Sequence, residues 1–81
     1  MNKNQIFNNL LHLSGIANET DKILNLLQER GYQVSANQLR NWRRGVENRH
    51  FRHVPDYALE IIFDYLFEQK RNHQGYFTEN K

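Results

Sequence analysis

Apolar residues recur at spacings of three and four in four stretches of the chain, and turn-forming residues separate the stretches. Ile6, Phe7, Leu10, Leu11 and Leu13 predict a first helix over 4–13, ended by Ser14-Gly15. A second follows with Asn18 or Thr20 as its cap and Glu19 and Asp21 near its positive end. Its apolar face is Ile23, Leu24, Leu26 and Leu27, and Gly31 stops it. The third is short and well marked. Ser35 caps it, with Gln38 reaching back as the reciprocal half of a capping box, and Val34 and Leu39 staple the turn. Leu39 and Trp42 share one side, Asn37, Arg40, Asn41 and Arg44 the opposite side, and Gly45 is a left-handed stop. Residues 46–54 are polar except Val46, Phe51 and Val54, which predicts a loop pinned by Phe51. Pro55 then opens the longest helix, from Asp56 to about Arg71, roughly four turns.

That last helix has an inner face of Ala58, Leu59, Ile62, Phe63 and Leu66, and an outer stripe of Asp56, Glu60, Asp64 and Glu68. Lys70 and Arg71 suit its negative end. Tyr57, Ile61 and Tyr65 form a second apolar stripe with Phe67 apart from it, more than a small domain easily covers. The expectation is an all-α domain of four helices over residues 1–72, a flexible tail over 73–81 carrying Tyr76 and Phe77, and a homodimer through Tyr57, Ile61, Tyr65 and Phe67.

Size and composition sharpen this. A chain of 81 residues buries only about 60% of its unfolded surface, so a lone monomer is marginal. With no cysteine there is no disulfide, thiolate metal site or cysteine nucleophile. No apolar run nears the roughly 20 residues of a membrane span, and Met-Asn-Lys-Asn-Gln lacks a signal peptide's apolar core, so a cytoplasmic protein is expected.

Charge changes the picture more through its distribution than through its total of +2. Between Arg30 and Arg52 stand six arginines against Glu47 alone; six cations less one anion leave a formal +5. The stretch from Asp56 to Glu68 holds four acids and no Lys or Arg. The second helix, the turn at Gly31 and the third helix resemble a helix-turn-helix, whose second helix enters the major groove. Tyr32-Gln33 lengthens the turn beyond the usual three or four residues. In that reading Arg40 and Arg44 pair with guanine, Asn37 or Asn41 with adenine, and Arg43, Arg49 and Arg52 hold phosphates. RNA is the alternative nucleic acid, with Tyr32 or Phe51 stacking on unpaired bases.

Other chemistry finds little footing. His50 and His53, with Glu47 and Asp56 nearby, lack a third ligand at a recognisable metal spacing. His12 sits beside an apolar face. Ser14 and Ser35 have no glycine elbow and read as caps, and no glycine loop cradles phosphate. Neither an enzyme, a cofactor nor a small-molecule substrate is expected.

The chain carries, in order, Asn4-x-Ile6, Thr20-Asp21-x-Ile23-Leu24-x-x-Leu27, Val34-Ser35, Leu39-x-x-Trp42, Asn48-x-x-Phe51, Asp56-x-x-Leu59, Phe63, Leu66 and Glu68-x-Lys70-Arg71. This order of landmarks resembles the YehS-like family of bacterial proteins of unknown function. The resemblance implies an all-helical unit, commonly present in tandem; this chain has room for one, which favours pairing of two copies. It offers no site residues. The function expected is therefore drawn from the residues: a small regulatory DNA-binding protein reading through its third helix. As a dimer on DNA its two reading helices would stand about 34 Å apart. The alternative is a protein-interaction module that assembles through the fourth helix and takes no nucleic acid.

Overall fold

The computed structural model describes residues 1–72; the tail expected over 73–81, with Tyr76 and Phe77, lies outside them. The order is α1 (Lys3–Leu13), α2 (Thr20–Glu29), α3 (Ala36–Trp42) and α4 (Asp56–Asn72). The fold is all-α, and no described helix is long and apolar enough to cross a membrane.

Local chemistry accounts for most helix ends. Asn2 and Gln5 form a capping box at α1, and Ser35 and Gln38 form the expected one at α3. Two helices end alike. Gly15 (φ +79°) and Gly31 (φ +94°) take the left-handed position that follows the cap. In each case the glycine N–H and the next one donate back into the last turn, Gly15 to His12 and Ile16 to Leu11, Gly31 to Gln28 and Tyr32 to Leu27. At α2 the N-cap is Glu19, with no side-chain cap, rather than Asn18 or Thr20. The connection from Arg30 to Ser35 is six residues, longer than a compact helix-turn-helix uses.

The end of α3 departs from expectation. Gly45 is not left-handed, because only Gly15 and Gly31 have positive φ. Tertiary donors take the free carbonyls of that helix instead: the Arg52 N–H reaches the Asn41 carbonyl at 3.1 Å, and the Asn4 amide reaches the Trp42 carbonyl at 2.8 Å.

α4 is the central element, with α1 and α2 both packed on it. The core is Phe7, Leu11, Ile16, Ala17, Ile23, Leu27, Leu39, Trp42, Val54, Ala58, Ile61 and Ile62. The face of α4 is therefore rotated from the expected one. Ile61 is only 4% exposed, whereas Phe63 is 53% exposed and Leu66 half-buried. A helix with two apolar stripes beside its acidic one can be buried on either; the two flanking helices chose between them. This corrects the expected dimer interface. Ile61 belongs to the core, Tyr57 lies between Tyr32 (3.8 Å, parallel) and Trp42 (6.4 Å, edge-on), and Tyr65 lies under the Lys22 ammonium at 5.4 Å. Phe67 alone of the four stays exposed, at 40%. Val54, at 3% exposure, anchors the 46–54 loop more deeply than the half-buried Phe51.

Candidate nucleic-acid interface

The interface is built on α3 because that helix has only one side to bury. Leu39 and Trp42 enter the core, and the Trp42 ring meets Phe7 edge-on at 6.0 Å, a geometry aromatic quadrupoles favour. Ala36, Asn37, Gln38 and Arg40 are left in solvent, with Asn41 and Arg44 half-buried beside them.

On that outward side the polar residues form pairs. Arg40 donates from Nη1 to the Asn37 side-chain oxygen at 3.0 Å, and Arg44 from Nε to the Asn41 oxygen at 3.0 Å. Each asparagine therefore positions the arginine three residues later, and one lone pair of its side-chain oxygen is engaged. Arg40 keeps Nε and Nη2, and Arg44 keeps Nη1 and Nη2, enough donors on each for a two-pronged bond to a guanine edge or a phosphate. Asn37 and Asn41 are better described as positioning these arginines than as separate adenine readers.

Arg43 does not stand with them. Its Nε donates to Asn8 Oδ1 at 2.7 Å and its Nη1 to the Ala17 carbonyl at 2.6 Å, tying the end of α3 to α1 and to the α1–α2 connection. Burial lowers its pKa below the ordinary arginine value, and the guanidinium stays charged at neutral pH. The phosphate role expected from the sequence is replaced by a structural one. Each charge-assisted bond is worth about 1.5–3 kcal/mol where sheltered. Half-exposure discounts the pair, so Arg43→Ala is expected to cost about 2 kcal/mol and to lower Tm by about 8–16 °C. Arg40→Ala, at an exposed site, should leave the melting curve unchanged; comparable losses in the two thermal melts would remove this distinction.

The loop after α3 brings further cations. The Arg52 backbone is fixed on Asn41, and its Nη1 donates to the Phe51 carbonyl at 2.8 Å. Arg49 approaches His50 Nε2 at 3.4 Å, and both arginine side chains are in solvent. Arg30 is engaged elsewhere, with Asp64 at 3.2 Å. Of the six arginines, Arg40, Arg44, Arg49 and Arg52 thus present charge near α3, while Arg43 ties α3 to α1 and Arg30 sits in an exposed ion pair with α4. Between α1 and α3 lies a recess of about 390 Å³ lined by Asn8, Thr20, Ala36, Leu39, Arg40, Arg43 and Arg44.

Each stacking candidate already has a ring partner. Tyr32 already has one face on Tyr57, and Phe51 meets His53 edge-on at 5.0 Å. Among the described residues no group of three or more His, Asp or Glu is placed to hold a metal ion.

Sequence reasoning missed Asn4, on which α3 depends. It is 5% exposed; its amide donates to the Trp42 and Arg52 carbonyls, both at 2.8 Å, and its oxygen accepts from the Val54 N–H at 3.4 Å. The available signal was phase: Asn4 falls in the same helical stripe as Phe7, Leu11 and Ser14, all buried. A polar residue inside an apolar stripe marks a place where the backbone of another segment needs a partner.

In comparison with known proteins, no family model, no curated protein and no solved structure matches this chain.

Proposed function

We propose that this protein binds nucleic acid, duplex DNA foremost, and that it does so as a small regulatory protein through the outward face of α3 and the loop behind it. The carrying observation is the pairing of Arg40 with Asn37 and of Arg44 with Asn41. It holds two guanidinium groups, Arg40 on α3 and Arg44 two residues past its end, beside a helix whose other side is fixed by Leu39 and Trp42. Holding a long cationic side chain in advance reduces the entropy lost when it meets a base edge or phosphate. At about 1.5 Å per residue, the seven residues of α3 span about 10 Å, comparable with the roughly 12 Å width of the major groove. Arg49 and Arg52 on the adjoining loop suit phosphates, which fix register without reading sequence. In this reading α2 and α3 act as an open helix-turn-helix with a long connection. The YehS-like kinship, DNA as partner and a cytoplasmic location belong to the same proposal and rest on the sequence.

The testing experiment is fluorescence anisotropy with duplex DNA, single-stranded DNA and structured RNA across a range of salt. Each neutralised phosphate contributes about −0.9 to the log–log slope on duplex. Arg49 and Arg52 alone predict a slope near −1.8, and Arg40 and Arg44 added to them a slope near −3.6. Tighter binding to structured RNA than to duplex would reassign the partner. No binding to any of the three at low salt overturns the reading, and leaves the protein-interaction module as the function to test.

A further inference from the structure

Of the seven large apolar residues exposed among those described, four, Ile6, Leu13, Phe63 and Phe67, lie on α1 and α4. The Lys3–Asp56 ion pair at 2.6 Å joins the starts of the two helices, and Gln69 Nε2 on the Ser14 carbonyl at 3.1 Å joins their later turns. The helices therefore run side by side in the same direction. Lys3, Ile6, Leu10 and Leu13 form one stripe of α1, and Asp56, Leu59, Phe63 and Leu66 repeat its spacing on α4, with Lys70 one turn beyond. The ion pair joins the first members of the stripes, so the apolar members that follow lie along one shared surface. Ile6 is 40%, Leu13 65%, Phe63 53% and Phe67 40% exposed. A continuous apolar patch of this kind marks a contact surface, where single exposed residues would not.

We propose that this surface is the interface with a second copy of the chain, the two α4 helices lying antiparallel across a two-fold axis at Phe63. The charge pattern selects this occupant. Asp56 and Lys70 stand seven residues before and after Phe63, and Leu59 and Phe67 four before and after it. Two-fold symmetry brings each residue against the one equally far on the other side of the axis. Phe63 then meets its counterpart, Leu59 meets Phe67, and Asp56 at either end meets Lys70. A parallel pairing would set acid on acid and base on base. Phe63 stacks on Phe67 with ring centroids 6.3 Å apart, and Phe63, at 53% exposure and on the axis itself, is the anchor. The interface replaces Tyr57, Ile61 and Tyr65, which the fold has already used. It also leaves α3 free. Asn4 and Asn8 hold α3 from another side of α1 than the Ile6–Leu13 stripe. The inference stands whether or not the protein binds nucleic acid.

The test is sedimentation velocity on the full chain over micromolar concentrations. The expected wild-type species is a dimer, and Phe63→Asp should sediment as a monomer with unchanged helical circular dichroism. Lys70→Glu and Asp56→Lys, each alone, should weaken self-association by about tenfold or more, since like charges then face each other. Mixed one to one, these two variants should recover dimers, because each supplies the charge that the other lacks. A wild-type monomer at every concentration overturns the proposal, as expected if the chain's own residues 73–81 cover the surface. So does a dimer that survives Phe63→Asp, or a mixture that associates no better than its components. Should Asp56→Lys lose helicity with its Lys3 pair, the Phe63→Asp result decides.

Discussion

Asn4→Ala should lower the unfolding free energy by about 3 kcal/mol or more, as much as truncating a fully buried apolar core residue. The side chain occupies three backbone groups at once, the carbonyls of Trp42 and Arg52 and the N–H of Val54. None has another route to a partner without opening the packing between α1, the end of α3 and the loop leading to α4. A buried polar group left unpaired costs about 1–3 kcal/mol. A domain of this length has only about 4–12 kcal/mol in total. With a urea slope near 1 kcal/mol per molar for so small a chain, the midpoint should fall by about 3 M. Asn4→Asp should be worse than alanine despite its nearly identical shape, because a carboxylate brings only acceptors to two carbonyl oxygens. Equal stability of Asn4→Asp and wild type in urea would show that these bonds contribute nothing net.

Reversing both Arg40 and Arg44 to glutamate should weaken duplex binding by on the order of 10²-fold or more, since each two-pronged hydrogen bond to a base is worth about 1–3 kcal/mol. Thermal stability should hardly change. Arg40 is in solvent, and the guanidinium groups of Arg40 and the half-buried Arg44 each bond only to an asparagine three residues earlier. The double variant thus separates recognition from folding, which the Arg43→Ala variant cannot do. A retained affinity would move the interface off α3. A loss of affinity accompanied by a large drop in Tm would mean that the arginines act by holding the helix rather than by touching the ligand. Asn37→Ala and Asn41→Ala should reduce affinity less than the arginine changes, as fits residues that orient their neighbours.

Local signals made much of this legible. The four helices, the Ser35–Gln38 capping box, the stops at Gly15 and Gly31 and the anchoring of α3 by Leu39 and Trp42 were all readable from spacing and from the side chains at helix ends. These features depend on residues within a turn or two of one another, so the chain states them directly. The placing of Arg40 and Arg44 outward followed for the same reason, since burying one side of a short helix exposes the other.

What spacing could not settle was every choice between elements. Two stripes of α4 are nearly equal in apolar content, and only the positions of α1 and α2 put Ile61 inside and Phe63 outside. Arg43 and Arg44 are adjacent and chemically identical, yet one is bound to Asn8 and Ala17 and the other faces outward. The end of α3 was expected at a glycine and is set instead by Asn4 and Arg52, donors 38 residues before it and ten residues after it. The sequence by itself determined which segments are helical and which side of each is apolar, because helix formation and capping act over one or two turns. The tertiary structure alone decided which apolar stripe is covered, which arginine is spent on the fold and which side chains of α4 stay exposed. Those outcomes depend on which segments meet, and residues far apart in the chain carry no local signal of their partners.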